Sequence, residues 1–392
     1  MKKSNLLITV LIFISSVVFG QLSTKDTNIV QLTFNYPLGT NGFKSYQISN
    51  NLSVNMFIGF NGGVKGCEFA GLGNINNGDV TGLQASGLMN LVRGNVTGAQ
   101  FSGLFNASTG SAKGIQSAGL FNFNTGNSEY LQAAGLFNSN YGKANGLQAA
   151  GLINSNLCQT DDESVKLAQV AGIINQNSSV TTGLQVSGIL NVSTDSLTGF
   201  QSSLVNLGSY VKGVQIGLVN VCTKNSEKVI PIGLVNIVKG GLYELELTAG
   251  DAIYANLNFK MGVERFYTIY KVGYTVNKGE SVYSFGLGVG TYFKLNDKSK
   301  IALDFSTNSL SKAAFQTQSI DMLNKIDLSY KYAITNNFSI FAGPSFNVYI
   351  AGNNNENERG ILNVPYTISK SSNTYVDTFN WLGLNAGISL KF

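Results

Sequence analysis

The chain has 392 residues, a formal net charge of +5, 12% charged residues, 45 Gly against only 4 Pro, and no His. The small, unclustered positive charge implies no nucleic-acid partner. The absence of His removes the commonest general base and the commonest metal ligand, so Ser-His-Asp, Cys-His and His-bearing zinc sites are excluded; with paired carboxylates scarce as well, no enzyme activity, cofactor or metal is expected.

At the start of the chain, Lys2 and Lys3 precede an apolar run from Leu6 to Phe19, followed by Gly20-Gln21. This is the pattern of a secretory signal peptide over residues 1–20, cleaved near Gly20. The run is too short for a membrane-spanning helix. Residues 21–63 hold N-terminal strands, Asn28 to Tyr36 and Asn50 to Phe60, the second with Leu52, Val54, Met56, Ile58 and Phe60 on one face.

Over residues 64–240 one phrase, G-x-Q-x-x-G-L-x-N, is written again and again. Its closing asparagines are Asn74, Asn90, Asn106, Asn122, Asn138, Asn154, Asn175, Asn191, Asn206, Asn220 and Asn236, spaced by 16 residues over the first six and then by 21, 16, 15, 14 and 16. So short a period in a Gly- and Asn-rich sequence means a strand-and-turn unit copied along a sheet, because one copy alone has nothing to bury its apolar face against. Turn chemistry between copies, such as Arg93-Gly94-Asn95 and Thr109-Gly110-Ser111, marks the unit boundaries.

Two architectures fit. The first is an all-β, antiparallel transmembrane β-barrel in which the 16-residue repeat forms many of the strands. In the second, the repeat forms a β-solenoid joined to a smaller barrel, with the Gly sites as corners and Gln and Asn stacked into ladders. The short copy Gly213 to Asn220 drops one residue between Gln215 and Gly217. In a continuous strand this would reverse the facing of Leu218 and Asn220 unless the longer copies carry a bulge, whereas in a solenoid it only tightens a corner. On either reading Gly103, Gly119 and Gly135 are expected where a Cβ is poorly tolerated. Cys67, Cys158 and Cys222 lie in different copies and read as incidental small side chains rather than as a disulfide frame. Asp161-Asp162-Glu163, in the longest insertion, and Glu356 and Glu358 read as solvated loops rather than cation ligands.

Residues 241–392 carry barrel strands. Ile253, Ala255, Leu257, Phe259, Met261 and Val263 oppose Tyr254, Asn256, Asn258, Lys260 and Gly262, and similar alternation recurs around residues 300–306 and 325–332. Further strands are expected over residues 265–276, 282–294 and 338–350. Charged residues on one face of several such strands suit a barrel in lipid with a wet lumen, and Lys260, Lys300, Asp304, Lys325, Asp327 and Lys331 are the candidate lumen charges.

In the final strand Leu382, Leu384, Ala386, Ile388, Leu390 and Phe392 form an unbroken apolar face. This resembles the carboxy-terminal insertion signal of bacterial outer-membrane β-barrels, which implies that Phe392 is read by the barrel assembly machinery. The 16-residue phrase resembles the Gly-Leu-Gln/Gly-Leu-x-Asn repeats of uncharacterised Gram-negative surface proteins, which implies a location and no chemistry. The expected function is a non-enzymatic, porin-like outer-membrane barrel, a pore or a surface platform of unknown cargo, exported through a cleaved signal peptide. Its expected partners are outer-membrane lipid, the assembly machinery and an unidentified extracellular ligand. The alternative is a surface adhesion or binding module built on the repeat.

Overall fold

The computed structural model describes residues 26–158, 164–225, 228–277, 279–312, 321–355, 358–362, 364–372 and 375–392. The signal-peptide reading of residues 1–20, the cluster Asp161-Asp162-Glu163, Glu356 and the side chain of Glu358 lie outside them. The chain divides into two compact units, Met1–Gly188 and Ile189–Phe392.

In the first unit each 16-residue copy makes a seven-residue strand, such as Val96–Ser102, and a four-residue strand, such as Phe105–Ser108. Each strand pairs in parallel with its equivalent one copy along, Gln100 opposite Gln116 and Asn106 opposite Asn122. One copy is therefore one coil. Of the two architectures left open, the chain takes the solenoid joined to a smaller barrel, and the repeat builds coils rather than barrel wall. The parallel stacking reaches back to Asp26–Asn35, which pairs with Ile48–Asn55 and through it with Gly63–Ala70.

The corner glycines make this stacking possible. A Cβ on Gly119 would lie 2.0 Å from the carbonyl oxygen of Gly103, and one on Gly103 or Gly135 would meet the preceding corner's oxygen at 2.0 or 2.1 Å. Backbone thus passes directly over backbone at the Gly-Leu corner, leaving no room for a side chain. At the first Gly of the phrase Gly98 and Gly114 take φ of 130° and 131°, and Tyr130 holds φ 89° at the same place. Tyr130 carries strain that the glycines do not.

The interior of the coils is polar. Asn74, Asn90, Asn106, Asn122, Asn138 and Asn154 are fully buried, and each donates its side-chain amide to the Asn one coil further on at 2.8–3.0 Å. The glutamines run the other way. Gln100 donates to Gln84, Gln116 to Gln100, Gln132 to Gln116 and Gln148 to Gln132, at 2.7–3.0 Å. Each of these ladder amides meets its own translated copy, which lets so polar a core exist. Apolar contact is confined to small groups such as Val64, Val80, Val92, Val96 and Ala112.

In the second unit, Leu190–Ser202 and Val205–Ile216 form further coils, with Gln201 opposite Gln215 and Asn206 opposite Asn220 across a copy of only 14 residues. Two residues are missing relative to the 16-residue copies, one before Gln215 and one at the Gly-Leu corner, and the ladders keep their register. Gln215 then faces Pro231, where the glutamine ladder ends.

Eight antiparallel strands follow: β1 (Leu242–Gly250), β2 (Ala255–Val263), β3 (Phe266–Asn277), β4 (Glu280–Lys294), β5 (Ser299–Ser311), β6 (Asp321–Ala333), β7 (Phe338–Asn355) and β8 (Val376–Lys391). Each pairs with the next, and β8 pairs with both β7 and β1, closing the barrel. At one end lie the start of β1, the end of β8 and the connections 264–265, 295–298 and 334–337; at the other lie 251–254, 278–279, 312–320 and 356–375. One end has only tight connections, and the other has the long ones.

Candidate functional site in the barrel lumen

Alternation along the barrel strands is inverted relative to a water-soluble protein. Leu257, Val272, Leu287, Phe305, Leu328 and Leu384 point outward and are exposed, while Lys260, Lys271, Asp304, Lys325, Asp327 and Lys331 point inward and are buried. An eight-stranded barrel is just wide enough for such side chains to fill it.

The buried charges form a connected set. Lys260 Nζ lies 3.0 Å from Glu246 Oε1 and 2.7 Å from Asp304 Oδ2. Asp304 also accepts from the Tyr267 hydroxyl at 2.5 Å. Lys331 pairs with Glu244 and, at 3.1 Å, with Glu246, and Tyr292 donates to Glu244 at 2.9 Å. Deeper toward the long-loop end, Asp327 is held by Lys325 at 3.3 Å, Lys271 at 3.5 Å and the Asn385 amide at 3.1 Å. Among the candidate lumen charges Lys300 alone sits at the short-connection rim, partly exposed and paired with Glu264. A cavity of about 280 Å³ opens there, lined in part by Glu244, Tyr292, Lys298, Lys300, Lys331 and Lys391.

The long-loop end is closed differently. Ile253, Val282, Leu310, Leu323, Tyr349, Leu362 and Trp381 pack into a buried apolar plug, with the Trp381 indole donating to Asp251 at 2.6 Å. Leu362 comes from the long connection between β7 and β8, whose Ile361 amide donates to the Tyr349 hydroxyl at 2.8 Å. Ion pairs through the middle and an apolar plug above leave the lumen filled. Charges so paired and desolvated are costly to disturb singly, but they do no bond-breaking chemistry by themselves. Among the described residues no group of three or more His, Cys, Asp or Glu is placed to hold a metal.

Phe392 is largely exposed, and its amide donates to the Tyr243 carbonyl at 3.0 Å, so the terminal residue extends the β8 edge along β1. Cys67 and Cys222 are free thiols, and burial pushes Cys222 up to about 12.

One buried charge escaped the reading of the sequence. Glu68 stands where the phrase has Gln, is fully buried, and accepts from Asn55 at 3.4 Å, Asn61, Asn76 at 2.6 Å and Gln84 at 2.8 Å. Burial pushes its carboxyl up to about 7, against the pull of those four amides. The glutamine ladder thus delivers its last donor to a carboxylate. The signal was available as the one departure from Gln in the first written copy.

No protein-family model matches the sequence, and no curated protein matches it. Among solved structures the chain is similar to Neisserial surface protein A (NspA), with 14% identity and a TM-score of 0.24, over 38% of this chain and 95% of that one.

Proposed function

We propose that this chain is a non-enzymatic outer-membrane protein whose barrel is a sealed anchor for the repeat solenoid rather than a pore. The observation that carries this reading is the inversion of the barrel, apolar outward and ionic inward, which is favourable only when the outer wall meets hydrocarbon. Against conduction stand the paired charges Lys260–Asp304, Lys331–Glu244 and Lys271–Asp327 across the lumen and the Trp381 plug above them. Barrels of this class keep short turns on the periplasmic side and longer loops outside. The coils leading into β1 arrive at the short-connection end, which speaks for a periplasmic solenoid and against the adhesion reading, in which the repeat would face the exterior.

Fractionation with heat-modifiable gel mobility tests the barrel, and a protein wholly soluble in the periplasm with no mobility shift would end the proposal. Protease added to intact cells is expected to spare the repeat, and protease admitted to the periplasm to reach it. Planar-bilayer recordings are expected to show no steady conductance. Recognition of Phe392 by the assembly machinery predicts that Phe392→Ala lowers membrane abundance well beyond what the burial of one Phe, about 1.5–3 kcal/mol, would suggest. Phe392→Trp is expected to be mild, and equal abundance of the Ala variant at matched expression would show that the terminal ring has no such role.

A further inference from the structure

The last coils do not merely precede the barrel; they lie against its outer wall. Along β2 and β3, Met261, Val263 and Thr268 belong to the outward-facing set, yet all three are buried. Val263 packs with Val211, Cys222, Val229 and Val238 of the coils. Asn236, the last rung of its ladder, donates to the Thr268 hydroxyl at 2.9 Å, and that hydroxyl donates to the Gly233 carbonyl at 2.7 Å. The Tyr270 hydroxyl donates to the carbonyl of Leu234.

These contacts fix the tilt of the coil against the wall. Val238, at one corner, meets Val263, which pairs with Phe266 at the short-connection rim. Leu234, at the Gly-Leu corner, meets Tyr270, four residues further along β3, or about 13 Å at 3.3 Å per residue. The Gly-Leu corner is therefore the deeper one, and it lies beside Leu287, which pairs with Tyr270 and is exposed on the barrel's apolar wall. From Leu234 a column of equivalent corner residues runs away from the barrel: Leu218, Leu204 and Ile189. They are 46%, 51%, 49% and 50% exposed, from Leu234 to Ile189.

From this continuity we infer that the corner column Ile189–Leu204–Leu218–Leu234 is a membrane-contacting face, seated in the acyl–headgroup boundary of the same bilayer that the barrel spans. The inference rests on the barrel reading above. An apolar column that begins on a lipid-facing wall, at the depth of that wall, is buried at no conformational cost if the coil simply continues along the leaflet. Lys224 and Lys239, at the opposite corner, are exposed and would remain in water.

The test is nitroxide accessibility of the full chain in phosphatidylethanolamine/phosphatidylglycerol vesicles, on a background with Cys67→Ser, Cys158→Ser and Cys222→Ala. Labels go singly at Leu204, Leu218, Lys224 and, on the barrel wall, Leu287. The expected result is a several-fold higher ratio of oxygen to nickel-chelate accessibility at positions 204 and 218 than at 224, approaching that at 287. A membrane-like ratio at 287 with water-like ratios at 204 and 218 overturns the inference and leaves the barrel reading standing. Dipolar broadening between copies at 204 also overturns it, in favour of a second copy covering the face. A water-like ratio at 287 itself overturns the barrel reading and the inference with it.

Discussion

The solenoid and the barrel both put polar side chains inside, but they satisfy them by opposite means. In the coils the ladder amides meet identical amides one step away, Asn106 to Asn122 at 3.0 Å and Gln116 to Gln100 at 2.7 Å, so one local solution is copied. In the barrel no neighbour repeats, and Lys260 pairs with Glu246 on the adjacent strand and reaches across the lumen to Asp304, 44 residues away. Translation allows neutral groups to pair with themselves, whereas closure without repetition calls for unlike charges. A defect in the coils should therefore be local and modest unless it blocks stacking itself, and a defect in the lumen should strand a charge.

The largest effect is expected where stacking is blocked. Gly119→Val would drive side-chain atoms into the Gly103 carbonyl, 2.0 Å from the Cβ position, and is expected to abolish recovery of folded chain. Ser117→Val, at a position that other coils fill with Phe101 or Val170, should be recovered normally in the same refolding assay. Equal recovery of the two variants would show that the corner has room. Next comes the lumen: Lys260→Ala leaves Asp304 and Glu246 buried with one cation fewer and is expected to cost about 3–5 kcal/mol in urea unfolding from detergent or lipid. A cost below 1 kcal/mol would mean that water enters and the lumen is not sealed.

Glu68 tests the boundary between the two strategies, since it is a charge placed in an amide ladder. Its folded carboxyl lies at about 7 against an ordinary 4.5, so between those values the folded chain holds a proton that the unfolded chain has released. Stability is then greatest below pH 4.5, falls as pH rises to about 7, and is level above it, with a total change of about 3 kcal/mol. Thermal unfolding of wild type against Glu68→Gln measures it, because the variant should lack that slope. The smallest effect is expected from one rung. Asn122→Ala removes one of the two acceptors of the Asn106 amide, which keeps the Ser117 carbonyl, together with the side-chain donor to the Ala133 carbonyl and the Asn138 oxygen, and is expected to cost about 1–3 kcal/mol.

The two regions also differ in how far they could be read in advance. The repeat exposes its own period, so its unit length, its corners and the stacking of Gln and Asn were all legible, and the short copy at Gly213 already pointed to a corner. The choice between wall and solenoid still needed the parallel register of Gln100 on Gln116, which alternation alone does not carry. In the barrel the inward face was legible as Lys260, Asp304, Lys325, Asp327 and Lys331, whereas the pairings were not, because partners such as Lys331 and Glu244 meet only through closure. Met261 read as an ordinary position on the apolar face of its strand, Thr268 lay unremarked in the strand expected over residues 265–276, and nothing in either strand announces the coil that covers them. Glu68 was missed because one residue among many copies looks like drift until its burial is known.

The opposed directions of the two ladders bear on how long the array can be. Were all its amides aligned one way, each further coil would extend a growing dipole; here, from Gln84 to Gln148, the Asn74–Asn154 ladder steps forward and the Gln ladder backward, and the two oppose each other. Removal of residues 112–127 would bring Gln132 onto Gln100 and Asn138 onto Asn106, recreating contacts the fold already makes. Glu68, which receives the last glutamine, is written outside that interchangeable stretch. The array thus has a fixed terminator and an editable middle, and its length is open to change by duplication or loss of whole copies without any new contact having to be invented.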